Sequence, residues 1–253
     1  MLKALYENKD RIIKLKKSAV YKSVEKGQFA ANISNLRANA VKGLQMESGN
    51  IYPVINTTNY MDSHDDVHFP GLWDRSLNDQ QGKIFYAMGH NLNIKDIIAW
   101  PEDVNAFVKE LQWKELGADF DGTTQALIYE IPEDKIVNDD ARKVLDEKRK
   151  VQNSVSMRYI LIKFGADSNE SYMKEAKAYF DEMIDKIANK EQVKEQGYFY
   201  GVEEAAIHKE GSMVLFGSND ITPILLPEPP EGTSGKTEPP AGTQKNNILL
   251  NLI

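Results

Sequence analysis

The sequence predicts an α+β protein of mixed, mostly antiparallel β structure with a few helices. Three observations carry the prediction. Short β-branched and aromatic runs recur through the middle of the chain. Two intervening stretches carry helix signals instead, a charged N-terminus in one and apolar residues at helical spacing in the other. After Leu226 the chain becomes rich in Pro, Glu, Gly and Thr, a composition that buries too little apolar surface to order itself.

The elements follow in order. Residues 1–45 read as helix, with Leu2, Leu5, Ile12, Leu15 and Ala19 three and four apart and Gly27 and Gly43 as punctuation. From Ile51, the run Tyr52-Pro53-Val54-Ile55-Asn56-Thr57-Thr58 is β-branched and broken by proline. That places it near a sheet edge or at a strand start. Strand-like runs follow at Lys83–Met88, Val104–Leu111, Gln125–Ile131, Val155–Phe164, Phe199–His208 and Ser212–Phe216. Asp139 and Asp140 set negative charge at the start of a helix over Ala141–Lys150, where the helix dipole favours it. A second helix runs from about Ser171 to Asn189, with Tyr172, Ala176, Tyr179, Phe180, Met183, Ile184 and Ile187 as one apolar stripe that reads as core packing. Three regions result: a basic helical arm (1–45), a folded body (46–226) and a Pro/Gly-rich disordered tail (227–253).

Composition removes several classes of function. The 253 residues contain no cysteine, which excludes disulfide scaffolds, thiolate metal sites and cysteine nucleophiles. No apolar run approaches the roughly 20 residues that cross a bilayer, and no secretory signal is evident, so neither membrane nor export is expected. The formal net charge of −7 hides an asymmetry: residues 1–45 sum to +7 and the remainder to −14. A basic arm on an acidic body suits docking to an acidic surface, or a solvated helix face. Without an aromatic stacking platform or a DNA-binding motif, nucleic acid is not an expected partner.

Candidate chemistry centres on few residues. His64 and His68 crowd into Asp62-Ser63-His64-Asp65-Asp66-Val67-His68, which superficially resembles a metal cluster. The two-His helical spacing with a general-base Glu is missing, and a polar turn closed by Pro70-Gly71 explains the segment, so no metal or cofactor is assigned. His90 follows a strand and Gly89, a place from which an imidazole can act as general base. Ser154 lies where a helix feeds a strand; a serine nucleophile there needs an adjacent base and oxyanion donors, and no Gly-x-Ser-x-Gly elbow is present.

Four blocks in order over about residues 50–224 resemble the tailed-phage prohead (capsid maturation) serine proteases. The first is Asn56 through Leu77, with Asp62, Asp66-Val67, Pro70-Gly71, Trp73 and Ser76-Leu77. The second is Gly89-His90-Asn91, where the family carries its catalytic His and usually an acidic residue in the place of Asn91. The third is Asn153-Ser154-Val155-Ser156-Met157, where the family has Gly at Ser156. The last is Glu210-Gly211-Ser212-Met213-Val214, similar to the family's closing Glu-x-Ser-x-Val.

The resemblance implies a β-barrel-like, assemblin-like core with flanking helices. It makes Ser154 the nucleophile, His90 the general base and Glu210 the third, orienting member, with His208, Asp139 and Asp140 as rivals for that last place. Ser156, on the same strand face at i+2, is the alternative nucleophile, and Arg158 is placed to lend positive potential near an oxyanion. The implied activity is a serine endopeptidase (a hydrolase) without cofactor, inside the immature procapsid in the host cytoplasm. It would cut coat and scaffold proteins, and itself, during virion maturation, and self-association is expected. The competing readings are a non-catalytic capsid assembly factor and a metal-dependent hydrolase at His64 and His68.

Overall fold

The computed structural model describes residues 1–20, 41 and 43–227. The predicted class is what it shows: α+β, with six α-helices among the described residues and two sheets whose pairings are mostly antiparallel. The first sheet has the order β5 (Asn105–Gln112), β6 (Thr123–Pro132), β1 (Asn50–Thr57), β9 (Ile224–Leu225). The second contains β2 (Asp66–His68), β3 (Phe85–Met88), β4 (Ile97–Ala99), β7 (Gln152–Ala166) and β8 (Tyr198–Val214). Here β8 is the spine. One edge takes β7 antiparallel, and the other takes β2 and β3, both parallel, at separate places. Among the described residues neither sheet closes into a barrel, since each ends on an unpaired edge strand, β5 in one and β4 in the other.

The sequence explains why β1 lies inside rather than at an edge. Side chains alternate faces along a strand. Ile51 and Ile55 join the main core with Leu127, Tyr129 and Ile131 of β6 and with Tyr86, Val155 and Met213 of the other sheet. Tyr52 and Val54 face the opposite way, into a second cluster with Leu111, Trp113, Leu116 and Ile128. Pro53 is tolerated because its outer neighbour, β9, is two residues long and pairs only with Tyr52 and Pro53.

The helices correct three boundaries. The N-terminal segment forms α1 (Leu2–Glu7) and α2 (Lys9–Ser18), while residues 43–49 are turn and coil rather than helix; residues 21–40 of the predicted arm lie outside those described. Leu5, Tyr6, Ile12 and Ile13 pack these helices on the main core. The helix predicted over 141–150 is α4 (Asp139–Asp146), opened by Asn138, whose side-chain oxygen accepts from the Ala141 N–H at 2.9 Å. The helix predicted over 171–189 is α5 (Lys174–Met183) with a 3-10 turn at each end. It stops because Ile187 turns extended and the Ala188 N–H donates to the Asn59 carbonyl at 2.8 Å. Ala176, Phe180, Met183, Ile184 and Ile187 of its stripe are buried as expected, and Tyr172 is exposed. Two short helices, α3 (Asp74–Gln80) and α6 (Lys190–Gln196), complete the set. The tail predicted beyond Pro227 lies outside the described residues.

Candidate functional site

Two neighbours of β8, β3 parallel and β7 antiparallel, bring the predicted groups together. β3 runs beside β8 with Phe85 opposite Glu210 and Met88 opposite Met213. At the end of β3 the chain reverses through Met88-Gly89-His90-Asn91, with φ of 57° at Gly89 and 59° at His90. Two successive positive φ values are the signature of a type I′ turn. Glycine adopts them freely; a histidine there is held at a cost of about 1–3 kcal/mol and persists only where its surroundings impose it.

They do so through hydrogen bonds to β8. The Gly89 N–H donates to the Met213 carbonyl at 2.9 Å, and the His90 N–H to Ser212 Oγ at 3.0 Å. His90 Nδ1 lies 2.9 Å from Glu210 Oε1 and 3.2 Å from Oε2. The Ser212 hydroxyl donates to Glu210 Oε2 at 2.7 Å. His90 is 8 % exposed, and Glu210 and Ser212 are wholly buried. A carboxylate only accepts, so the His90 Nδ1–H donates to Glu210.

Ser154 enters from the other side of β8. Its Cα partner across the β7–β8 ladder is Ser212. Directly opposed residues share a face with Cβ atoms about 4.5–5.5 Å apart. Ser154 therefore lies on the face that carries Ser212 and, two residues along, Glu210. It is 7 % exposed, whereas Ser156 is wholly buried with its hydroxyl unpartnered among the described residues. Gly211 makes room between the two polar residues of β8. A Cβ there would sit 2.7 Å from the Tyr129 ring and 2.9 Å from Ile55, so the first sheet packs straight onto the backbone beneath the site.

The rivals are placed elsewhere. Lys209, with φ of 71°, interrupts the ladder between the Val155–Gly211 and Met157–Ile207 pairs, so His208 and Glu210 are separated by a bulge and are not simple i, i+2 neighbours. It is Glu210 that meets His90 Nδ1. Asp139 and Asp140 are exposed in the first turn of α4. Arg158 is exposed, four residues or about 13 Å along β7 from Ser154, and is not brought to the pair. Ser212 is the residue that sequence reasoning gave no role; its position in the Glu-x-Ser block, on the same strand face as Glu210, was the available signal.

The Asp/His segment folds as a separate buried network. Asp62 Oδ1 accepts from the His64 and Asp66 N–H groups at 2.8 and 3.1 Å, building the polar turn. Trp73 Nε1 donates to Asn56 Oδ1 at 3.2 Å, and Asn56 Nδ2 meets His68 Nδ1 at 2.9 Å. His68 Nε2 meets the Tyr159 hydroxyl at 3.3 Å, which donates to Asp66 Oδ2 at 2.8 Å. Asp66 Oδ1 receives Lys16 Nζ of α2 at 2.6 Å. Burial pushes His68 down to about 3, so it is neutral, accepting at Nδ1 and donating at Nε2. Burial and the neighbouring carboxylate raise Asp66 to about 7 against the pull of Lys16, and burial raises Asp62 to about 6. Among the described residues no group of three or more His, Asp or Glu side chains is arranged to hold a metal ion.

The chain matches no protein-family model, no curated protein and no solved structure.

Proposed function

We propose that this chain is a serine hydrolase, with Ser154 as nucleophile, His90 as general base and Glu210 as the group that orients the imidazole. The observation that carries the reading is the buried His90–Glu210 hydrogen bond, set on the sheet face that also bears Ser154. A carboxylate on Nδ1–H fixes the tautomer whose Nε2 can take a proton, and stabilises the imidazolium once it has done so. The chemistry is then that of acyl transfer. His90 Nε2 takes the Ser154 proton as Oγ attacks a carbonyl carbon, and the same proton passes to the leaving amine. Water, deprotonated by the imidazole, releases the acid and restores Ser154.

The particular hydrolase is an endopeptidase of the prohead maturation type, with an assemblin-like, barrel-like arrangement of the two sheets. This narrower reading rests on the four ordered sequence blocks, and it makes the coat and scaffold proteins, and the chain itself, the substrates inside an immature procapsid. The test is co-expression with those proteins. Shortened coat or scaffold bands with the wild type and full-length bands with Ser154→Ala are expected; identical bands in both would overturn the protease reading in favour of a non-catalytic assembly role. Labelling of Ser154 by a fluorophosphonate, unaffected by chelator, separates it from a metal-dependent hydrolase.

A further inference from the structure

We infer that Ser212 is a positioning residue whose single hydroxyl holds both His90 and Glu210 in the arrangement that the proposed chemistry needs; the inference rests on that proposed function. Its geometry is directional. A hydroxyl has one hydrogen and two lone pairs. The hydrogen goes to Glu210 Oε2, and a lone pair accepts the His90 N–H. With Oε2 so engaged, Oε1 is the oxygen nearer Nδ1, at 2.9 against 3.2 Å. Ser212 thus decides how the carboxylate is rotated beneath the imidazole.

The second contact acts on the backbone. His90 has φ of 59°, a conformation that non-glycine residues seldom adopt, in a turn whose other anchor to β8 is the Gly89 N–H on Met213. Accepting the His90 N–H ties the strained residue itself to the strand that carries its carboxylate partner. Ser212 is wholly buried and its hydrogen is committed to Glu210, so it is not a competing nucleophile; its cross-strand partner Ser154 retains exposure.

Three variants and two readouts test this. A hydrogen bond to a charged group is worth about 1.5–3 kcal/mol, which corresponds to a fall of roughly tenfold to a hundredfold in rate. Ser212→Ala should slow fluorophosphonate labelling of Ser154 by that factor, as a loss in the maximal inactivation rate with the half-saturating probe concentration little changed. Ser212→Thr, which keeps the hydroxyl, should recover most of it. In proton NMR, the low-field resonance of the carboxylate-bound His90 Nδ1 proton should be present in the wild type and lost or displaced in Ser212→Ala. A folded Ser212→Ala protein with wild-type labelling and an unmoved resonance overturns the inference. If Ser212→Ala does not fold, Ser212→Cys keeps the shape with a poor donor, and unchanged labelling in that variant overturns it equally. Wild-type protein that is not labelled at all defeats the proposed nucleophile, and the NMR resonance alone then decides the role of Ser212.

Discussion

Replacing Lys16 by Met should cost stability in a pH-dependent way, and the size of that dependence follows from the buried network. Lys16 Nζ lies 2.6 Å from a carboxylate of zero exposure, 3.1 Å from the His64 carbonyl and 4.8 Å from the centre of the Tyr200 ring. Losing the carbonyl bond and the ring contact removes about 1–2 kcal/mol at any pH. The Asp66 contribution changes with pH. Its folded pKa of about 7 lies above the ordinary 3.8, so the native state binds the extra proton between those values. Stability from this group is present below about pH 4 and is lost as pH rises through 7. Below pH 6 Asp66 is neutral in wild type and variant alike. At pH 8 the wild type ionises it against Lys16, which gains about 1.4 kcal/mol per pH unit above 7, whereas the variant must keep it protonated. Asp62, which Lys16 also pulls down, adds in the same direction. Urea unfolding should therefore show Lys16→Met losing about 1.4 kcal/mol more at pH 8 than at pH 5, a further midpoint shift of roughly 0.5–1 M. Lys17→Met, on the exposed side of α2, is the control and should shift little at either pH. Equal losses for Lys16→Met at both pH values, or a Lys17→Met loss as large, would refute the reasoning.

Further tests address the site and its support. Glu210→Gln should lower turnover by about 10³–10⁴ at unchanged fold, because an amide no longer enforces the Nδ1–H tautomer; labelling kinetics and circular dichroism check both halves. Gly211→Ala should destabilise by about 1–3 kcal/mol, since its methyl would enter the contact with Tyr129 and Ile55; thermal unfolding measures it. His68→Gln should flatten the acid side of the stability profile. With a folded pKa of about 3 against 6.5, His68 contributes stability above pH 6.5 that is lost as pH falls toward 3, and equilibrium unfolding across that range reads it out. Asn138→Ala should cost about 1 kcal/mol through loss of the α4 cap, visible in the urea midpoint.

Much of the fold is legible in residue pattern because most strands bury one or both faces. β5 and β6 fall within a residue or two of their predicted limits, and α5 buries most of its stripe. The failures have local causes. β8 reads as two strands because Lys209-Glu210-Gly211 is charged and glycine-bearing in mid-run. In the fold Lys209 forms a bulge, Glu210 is buried for its bond to His90, and Gly211 yields to the opposing sheet. The place where pattern breaks is the place where the candidate chemistry sits. His90 and Ser154 drew notice from their places beside strands, but their pairing with each other and with Glu210 came only from the block order of a resembling family. Ser212 was not singled out: its i, i+2 spacing puts it on the face of Glu210, but does not reveal that one hydroxyl reaches both a carboxylate and a backbone N–H. Lys16 was equally opaque: among the basic residues of α2, nothing local distinguishes the one that enters a pocket formed by residues about fifty positions later.

The spine strand also sets a clock. His90 and Glu210 are 120 residues apart, and the Asn153 N–H beside Ser154 rests on the Thr222 carbonyl, later still. At about 5–20 residues per second, roughly 6–24 s of translation separate His90 from Glu210. A nascent chain that has not yet released β8 and β9 from the ribosome holds Ser154 and His90 without the strand that joins them. Until β8 has emerged, neither the His90–Glu210 hydrogen bond nor the ladder that sets Ser154 opposite Ser212 can form.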